Sequence, residues 1–270
     1  MNIEHRTQHV EPAFAKASAD KHRISKDESR VTSDGFSLTE VLMSIGILAI
    51  GMLFIAGVFP VSIHFTTVAT ERTIAAAVAD EAFAKIKLYG INLGDPDLNS
   101  IAQRPFEFIM PLVPFGEYGY PSTPTNDPAL KRYWWSAICR KVGDSDIQVT
   151  VFVSRKTGAA TTYESPAGPS MRPVAMPVEV AGAANSDELT ITNISKKTFI
   201  NDGYSIVGEA TGQIYRVLER YSSPPGNDSV IRLDQPWQGG ALPDTVWVVP
   251  PPRGGGRNPC IAIYQKVMRF

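Results

Sequence analysis

From Val41 to Phe65 the chain is dominated by Leu, Ile, Val, Phe, Met, Ala and Gly, and no formally charged side chain interrupts it between Glu40 and Glu71. A helix rises about 1.5 Å per residue and a hydrocarbon core is about 30 Å thick, so roughly 20 apolar residues suffice to cross it. The run predicts one transmembrane helix at about 41–63, and no second run of this kind follows. Beyond Pro60, Ile74, Val78, Ala82 and Ile86 recur at four-residue spacing with Phe83 and Tyr89 alongside, while Arg72, Asp80, Glu81, Lys85 and Lys87 occupy other faces. This is the pattern of an amphipathic continuation that reserves one face for a core. Gly90 or Gly94 is placed to end it, so the expectation is one long helix over 36–90.

Either side of that helix the pattern changes. Met1 to Asp34 is polar, balanced in charge and almost without periodicity, which predicts a disordered leader over 1–35. Lys21, Arg23, Lys26 and Arg30 precede the apolar run and Arg72 stands alone just after it, an asymmetry that keeps the N-terminus in the cytoplasm. Residues 91–156 read as a first head region. A loop rich in Pro, Gly and Asn leads to two strand candidates, Tyr133 to Arg140 and Ile147 to Arg155, joined by a turn at Gly143-Asp144. Ile147, Val149, Val151 and Val153 alternate onto one face, fit to pack on the amphipathic helix. Trp134 and Trp135 point to opposite faces, one into the core and one to the surface or another domain. Asp95, Asp97 and Asn99 have the alternate spacing of calcium-loop ligands, but Ser100 and Phe106 occupy the positions of the turn glycine and bidentate Glu, so an ordinary polar turn is expected.

Residues 157–173 read as a polar linker. Short runs then recur at even spacing across 174–252, separated by turns such as Asn201-Asp202-Gly203 and Pro224-Pro225-Gly226-Asn227-Asp228, which predicts an inserted small barrel or sandwich. Residues 253–270 carry a last alternating run, Cys260 to Met268, suited to return to the first sheet. The fold class expected is therefore α+β: a transmembrane helix that continues as an amphipathic helix on an antiparallel sheet, with an added β module.

Composition narrows the chemistry. With 270 residues, 43% of them apolar and 20% charged, the chain can bury a core. A net charge of -1 gives no indication of a nucleic-acid partner. His5, His9, His22 and His64 are the only histidines, so the long C-terminal region has none for a Ser-His-Asp, Cys-His or histidine-metal site. No enzyme, cofactor or metal site is expected. Cys139 and Cys260 either pair, if the head lies in an oxidising compartment, or are two separate buried thiols. Gly57 and Pro60 mark the expected kink or local melting of the helix; Gly46, Gly51 and Gly57 equally suit a small-residue packing surface.

One carboxylate stands where apolar residues belong. Gly35-Phe36-Ser37-Leu38-Thr39-Glu40-Val41-Leu42 runs directly into the uncharged helix. The octet resembles the N-terminus of type IV prepilins and type II secretion pseudopilins: a leader ending in Gly, an aromatic first residue, a Glu four residues later and an uncharged helix. The resemblance covers about Gly35 to Gly90. It implies cleavage between Gly35 and Phe36 by a prepilin peptidase that also methylates the new amino terminus, and an assembly role for Glu40 facing the Phe36 amino group of a neighbouring subunit. It further implies a non-enzymatic minor pilin or pseudopilin of the bacterial inner membrane, single-pass with its head outside the cytoplasm, partnered by other pilin subunits and by lipid. The alternative is a filament-associated adhesin, DNA-uptake or secretion-substrate receptor that binds through the β module. Glu40 also has a local reading, since carboxylates stabilise helix N-termini by about 0.3–1 kcal/mol.

Overall fold

The computed structural model describes residues 35–96, 98, 102–122, 131–158, 160–222, 229–239 and 243–270. The leader over 1–34, the turn Pro224 to Asp228 and the calcium-spaced Asp97 and Asn99 lie outside the described residues. The chain divides after Gly57 into two units.

A single helix, α1, spans Leu38–Tyr89. It is the one helix among the described residues that is long and apolar enough to cross a membrane, and its apolar stretch is wholly exposed. Gly57 and Pro60, where a kink or local melting is expected, both fall within its helical residues. Pro60 removes one N–H and so one bond to the Ala56 carbonyl, but apolar helix formers flank it on both sides and one missing bond does not end the helix. The end comes at Gly90, whose φ of 75° is the left-handed turn that glycine adopts without a Cβ clash. Its N–H bonds to the Ile86 carbonyl at 3.0 Å.

In the second unit, β1 (Arg104–Pro105), the short helix α2 (Phe106–Ile109) and β2 (Gly119–Tyr120) precede β3 (Tyr133–Lys141) and β4 (Asp146–Arg155). The order in the first sheet is β1-β3-β4-β11, where β11 is Cys260–Arg269, and β2 also pairs with β3. All pairings are antiparallel. The return of β11 makes the inserted residues leave and re-enter at one place: Cys260 lies opposite Ser154, and the Arg155 N–H bonds to the Pro259 carbonyl at 2.8 Å.

The insertion contains β5 (Met176–Gly182), β6 (Glu188–Ile191), β7 (Ser205–Gly208), β8 (Ile214–Tyr221), β9 (Val230–Leu233) and β10 (Asp244–Val248). They close into a barrel in the order β10-β5-β6-β9-β8-β7. Closure leaves no free edge, and alternate residues such as Val178, Val180, Leu189, Ile191, Ile206 and Ile231 fill the interior. Trp237 is buried at this core and stacks on Tyr215 with ring centres 4.9 Å apart.

Three hydrophobic clusters result. The first gathers Ala75, Val78, Ala79, Ala82 and Ile86 of α1 with Ile147, Val149, Val151 and Val153 of β4 and with both Trp134 and Trp135. Neither tryptophan is a surface anchor. Phe115 lies 5.2 Å from the Trp134 ring and Tyr118 4.8 Å from that of Trp135, so the turn at Phe115–Tyr118 supplies aromatic partners for both. The second cluster is the barrel interior. The third joins Ile138, Phe152, Cys260 and Ile263 of the sheet to Val207, Trp247 and Val249 of the barrel. β4 is thus buried on both faces, and each of its large aliphatic side chains contributes about 1.5–3 kcal/mol by leaving water.

Both cysteines are free. Cys139 sits opposite Val149 in the first cluster, whereas Cys260 sits opposite Ser154 in the third. They belong to different sheet faces and different ends of the strands, which leaves no geometry for a bridge. Of the two alternatives open from sequence, the structure has separate thiols.

Candidate functional site

The segment singled out by its misplaced carboxylate begins in irregular backbone and enters α1 at Leu38. Gly35 and Phe36 are exposed, Phe36 to 81%, and a Cβ on Gly35 would meet nothing within 4 Å. This is an open backbone with an apolar ring beside it. Ser37 is the residue before the first helical one, and its carbonyl accepts from the N–H groups of Glu40 at 2.9 Å and Val41 at 3.1 Å. Glu40 falls in the first turn, three residues after Ser37, which is the spacing of a capping box. The Ser44 hydroxyl donates to the Glu40 carbonyl at 2.8 Å, so the backbone here is satisfied within the helix. The Glu40 carboxylate has no ion pair among the described residues, and exposed Leu38, Val41, Leu42 and Met43 surround its sequence position. A lone carboxylate on an apolar helix is costly in lipid, about 2.5–3.5 kcal/mol at mid-bilayer, and so favours any cationic partner.

Gly57 and Pro60 lie further along α1, and Cys139 and Cys260 are in the sheet. Burial pushes both thiols up, Cys260 to about 12, which disfavours the thiolate at neutral pH.

Sequence reasoning missed the polar residues that hold the barrel to the sheet. The turn between β7 and β8 is gripped from three directions. The Gln103 amide donates to the carbonyls of Gly208 at 2.7 Å and Glu209 at 3.0 Å. The Arg140 guanidinium donates to the carbonyls of Ala210 and Thr211 and to Gln148 Oε1. Gln265 donates to the Gly212 carbonyl and to Thr150 Oγ1. Gly212 has a φ of 73°, a left-handed conformation that favours glycine, and a Cβ there would lie 2.8 Å from the Gln148 amide. Nothing in a single sequence separates such glutamines from surface ones. In the stretch read as a linker, Tyr163 is fully buried, its hydroxyl accepts from the Thr157 N–H at 2.9 Å, and Arg172 is only 4% exposed.

Two clefts open beside the barrel. One, of about 530 Å³, is lined by Glu164, Thr198, Phe199, Asn201, Arg253 and the Gly254 to Gly256 backbone. The other, of about 360 Å³, is lined by Gln103, Arg104, Phe108, Glu209, Thr245 and Trp247. Among the described residues no group of three or more His, Cys, Asp or Glu is placed to hold a metal ion. In the second cleft, burial raises the Glu209 carboxyl above the ordinary carboxylate range, with Asp244 adding repulsion and a Thr245 hydrogen bond and Arg104 opposing the shift. The folded state therefore binds that proton more tightly than the unfolded chain, and its stability falls as pH rises from the ordinary carboxylate value through the raised one. Glu209→Gln keeps an acceptor for Thr245 and removes the charge. It is expected to raise the melting temperature at pH 7, and the gain should vanish once the pH lies below the ordinary carboxylate range; thermal unfolding at the two pH values checks this.

No known family, no curated protein and no solved structure matches the chain.

Proposed function

We propose that this chain is a non-enzymatic minor pilin or pseudopilin, anchored in a bacterial inner membrane by α1 and assembled into a type IV-like filament after its leader is removed. The observation that carries this is the position of Glu40. A single carboxylate sits one turn into an otherwise uncharged, exposed apolar helix, directly after the Gly35-Phe36 junction. Cleavage there creates a cationic amino group on Phe36, and a neighbouring subunit's Glu40 is its natural counter-charge in a medium that has few. Further support comes from the cluster that Ala75 to Ile86 share with β4, which we read as the amphipathic half of the helix laid on an antiparallel head sheet. In this reading the N-terminus faces the cytoplasm, the head lies outside it, and the partners are a prepilin peptidase with methyltransferase activity, other pilin subunits and lipid.

The closed barrel favours a second reading alongside the first. It has its own core and occupies the sheet face opposite the one shared with α1, and its bulk hinders the close helical stacking of a main filament subunit. A binding role for the barrel at the filament surface, as adhesin or as receptor for DNA or a secreted substrate, fits that placement.

Processing is the direct test. Mass spectrometry of the protein isolated from its native membrane should show a chain that starts at N-methyl-Phe36. Gly35→Asp, which puts charge and bulk on an open backbone, should leave the leader attached in essentially every molecule. An intact N-terminus in cells with active prepilin peptidase would sink the assignment.

A further inference from the structure

We infer that the groove between the α1 residues Ser62 to Thr70 and the start of β3 seats the phosphate of a membrane phospholipid. This rests on the reading that Val41 to Phe65 crosses a membrane. The groove, of about 330 Å³, is lined by Thr66, Thr67, Thr70, Glu71, Arg132 and Tyr133 among others, and it opens where the apolar run gives way to polar helix. That is the depth at which headgroups lie, and the depth at which arginine and tyrosine are favoured because each has an apolar body and a polar tip.

The charges are arranged for an anion. Arg132 is exposed and forms no ion pair among the described residues; its guanidinium carbon lies 5.9 Å from the centre of the Tyr133 ring. Glu71 is the one acid in the lining, and Arg155 neutralises it in a part-buried ion pair. Arg72, exposed on the neighbouring helix position outside the lining, forms no ion pair among the described residues. A planar guanidinium suits two oxygens of a phosphate at once.

The hydroxyls point to the rest of the headgroup. Thr66, Thr67 and Thr70 donate to the carbonyls of Ser62, Ile63 and Thr66 at 2.9, 2.9 and 2.8 Å, so each hydroxyl has spent its proton and retains only acceptor lone pairs. Acceptors beside a phosphate site match a headgroup that carries donors, ethanolamine or glycerol, over the quaternary ammonium of choline, which has none. An inorganic ion finds one open guanidinium there and no cage of N–H groups. A lipid adds the burial of its chains along the exposed apolar helix, which is why lipid is the occupant.

Native mass spectrometry of the full chain in mild detergent, with phosphatidylethanolamine, phosphatidylglycerol and phosphatidylcholine offered in equal amounts, tests this. The wild type should retain one ethanolamine or glycerol lipid in preference to choline. Arg132→Gln should lose that lipid at an unchanged melting temperature, and Arg132→Lys should keep part of it. Excess inorganic phosphate should leave the lipid in place. Equal retention by Arg132→Gln, no preference over choline, or displacement by inorganic phosphate overturns the inference. Alkaline carbonate extraction of membranes separates the two levels of the reading: release of the wild type refutes the membrane span itself, whereas resistance combined with unaltered lipid retention in Arg132→Gln refutes the groove alone.

Discussion

Glu40→Val is expected to insert into the membrane and lose its leader normally, yet to enter sheared filaments about tenfold less than the wild type, or worse. Removing a charge makes the segment more apolar, so insertion gains rather than loses. In the proposed docking role, what disappears is the counter-charge for a neighbour's Phe36 amino group. A hydrogen bond to a charged group contributes about 1.5–3 kcal/mol, which is roughly a ten- to hundredfold change in an association equilibrium. The capping-box spacing from Ser37 to Glu40 supplies the competing account, and a second substitution separates them. Glutamine serves at this position of a capping box but carries no charge. Glu40→Gln should therefore assemble as poorly as Glu40→Val if docking is electrostatic, and as well as the wild type if the residue only secures its own helix. Comparison of membrane and filament fractions for the two variants decides it.

The second large effect is one of stability and centres on Arg172. Its side chain is 5% exposed and forms an ion pair with Glu107, donates to the Trp135 carbonyl at 3.2 Å, and lies 4.0 Å from the centre of the Tyr118 ring. Burial lowers the affinity of the guanidinium for its proton, Glu107 offsets this only in part, and burial pushes the Tyr118 hydroxyl up to about 12. Arg172→Ala strands a largely buried carboxylate and a carbonyl without a donor. Breaking a buried pair from one side costs about 3–5 kcal/mol, which for a head of this size is on the order of 10 °C in melting temperature. Arg172→Met with Glu107→Gln should recover much of the loss, because neither side of the pair is then left charged. Arg253→Ala, which removes the half-exposed pair with Glu164, should cost no more than about 1 kcal/mol. Thermal unfolding of the full chain in detergent measures all three; a loss for Arg172→Ala no greater than for Arg253→Ala would show that the cluster is dispensable.

What the sequence announces and what it conceals follow from the range of the forces involved. Hydrophobic periodicity is local, so α1, the β3–β4 hairpin and the succession of barrel strands were all legible from apolar spacing and turn residues. The position of Glu40 stands out because a charge inside an uncharged run is conspicuous without any structure. Gln103, Arg140 and Gln265 were not, since their partners are backbone carbonyls of a turn distant in the chain, and a glutamine that bonds a carbonyl has the same neighbours in sequence as one that bonds water. The alternation rule sends one of Trp134 and Trp135 to the core and the other to the surface or another domain; it has no access to the Phe115–Tyr118 turn, which supplies aromatic partners for both in one core cluster.

The hairpin-like closeness of Arg155 and Pro259 also orders events in time. β4 and β11 are neighbours in the sheet but are separated along the chain by the entire barrel, so β11 cannot pair until the ribosome has released everything in between. As an open coil that intervening chain imposes a closure entropy that grows with its length; once it has become a barrel whose two ends lie side by side, the effective loop is short. The barrel is built from its own sequential strands and its own core, and its contacts are nearer in sequence than the one between β4 and β11. The insertion thus lowers the closure entropy for the sheet around it: the loop that β11 must close on β4 is shorter with the barrel formed than without it.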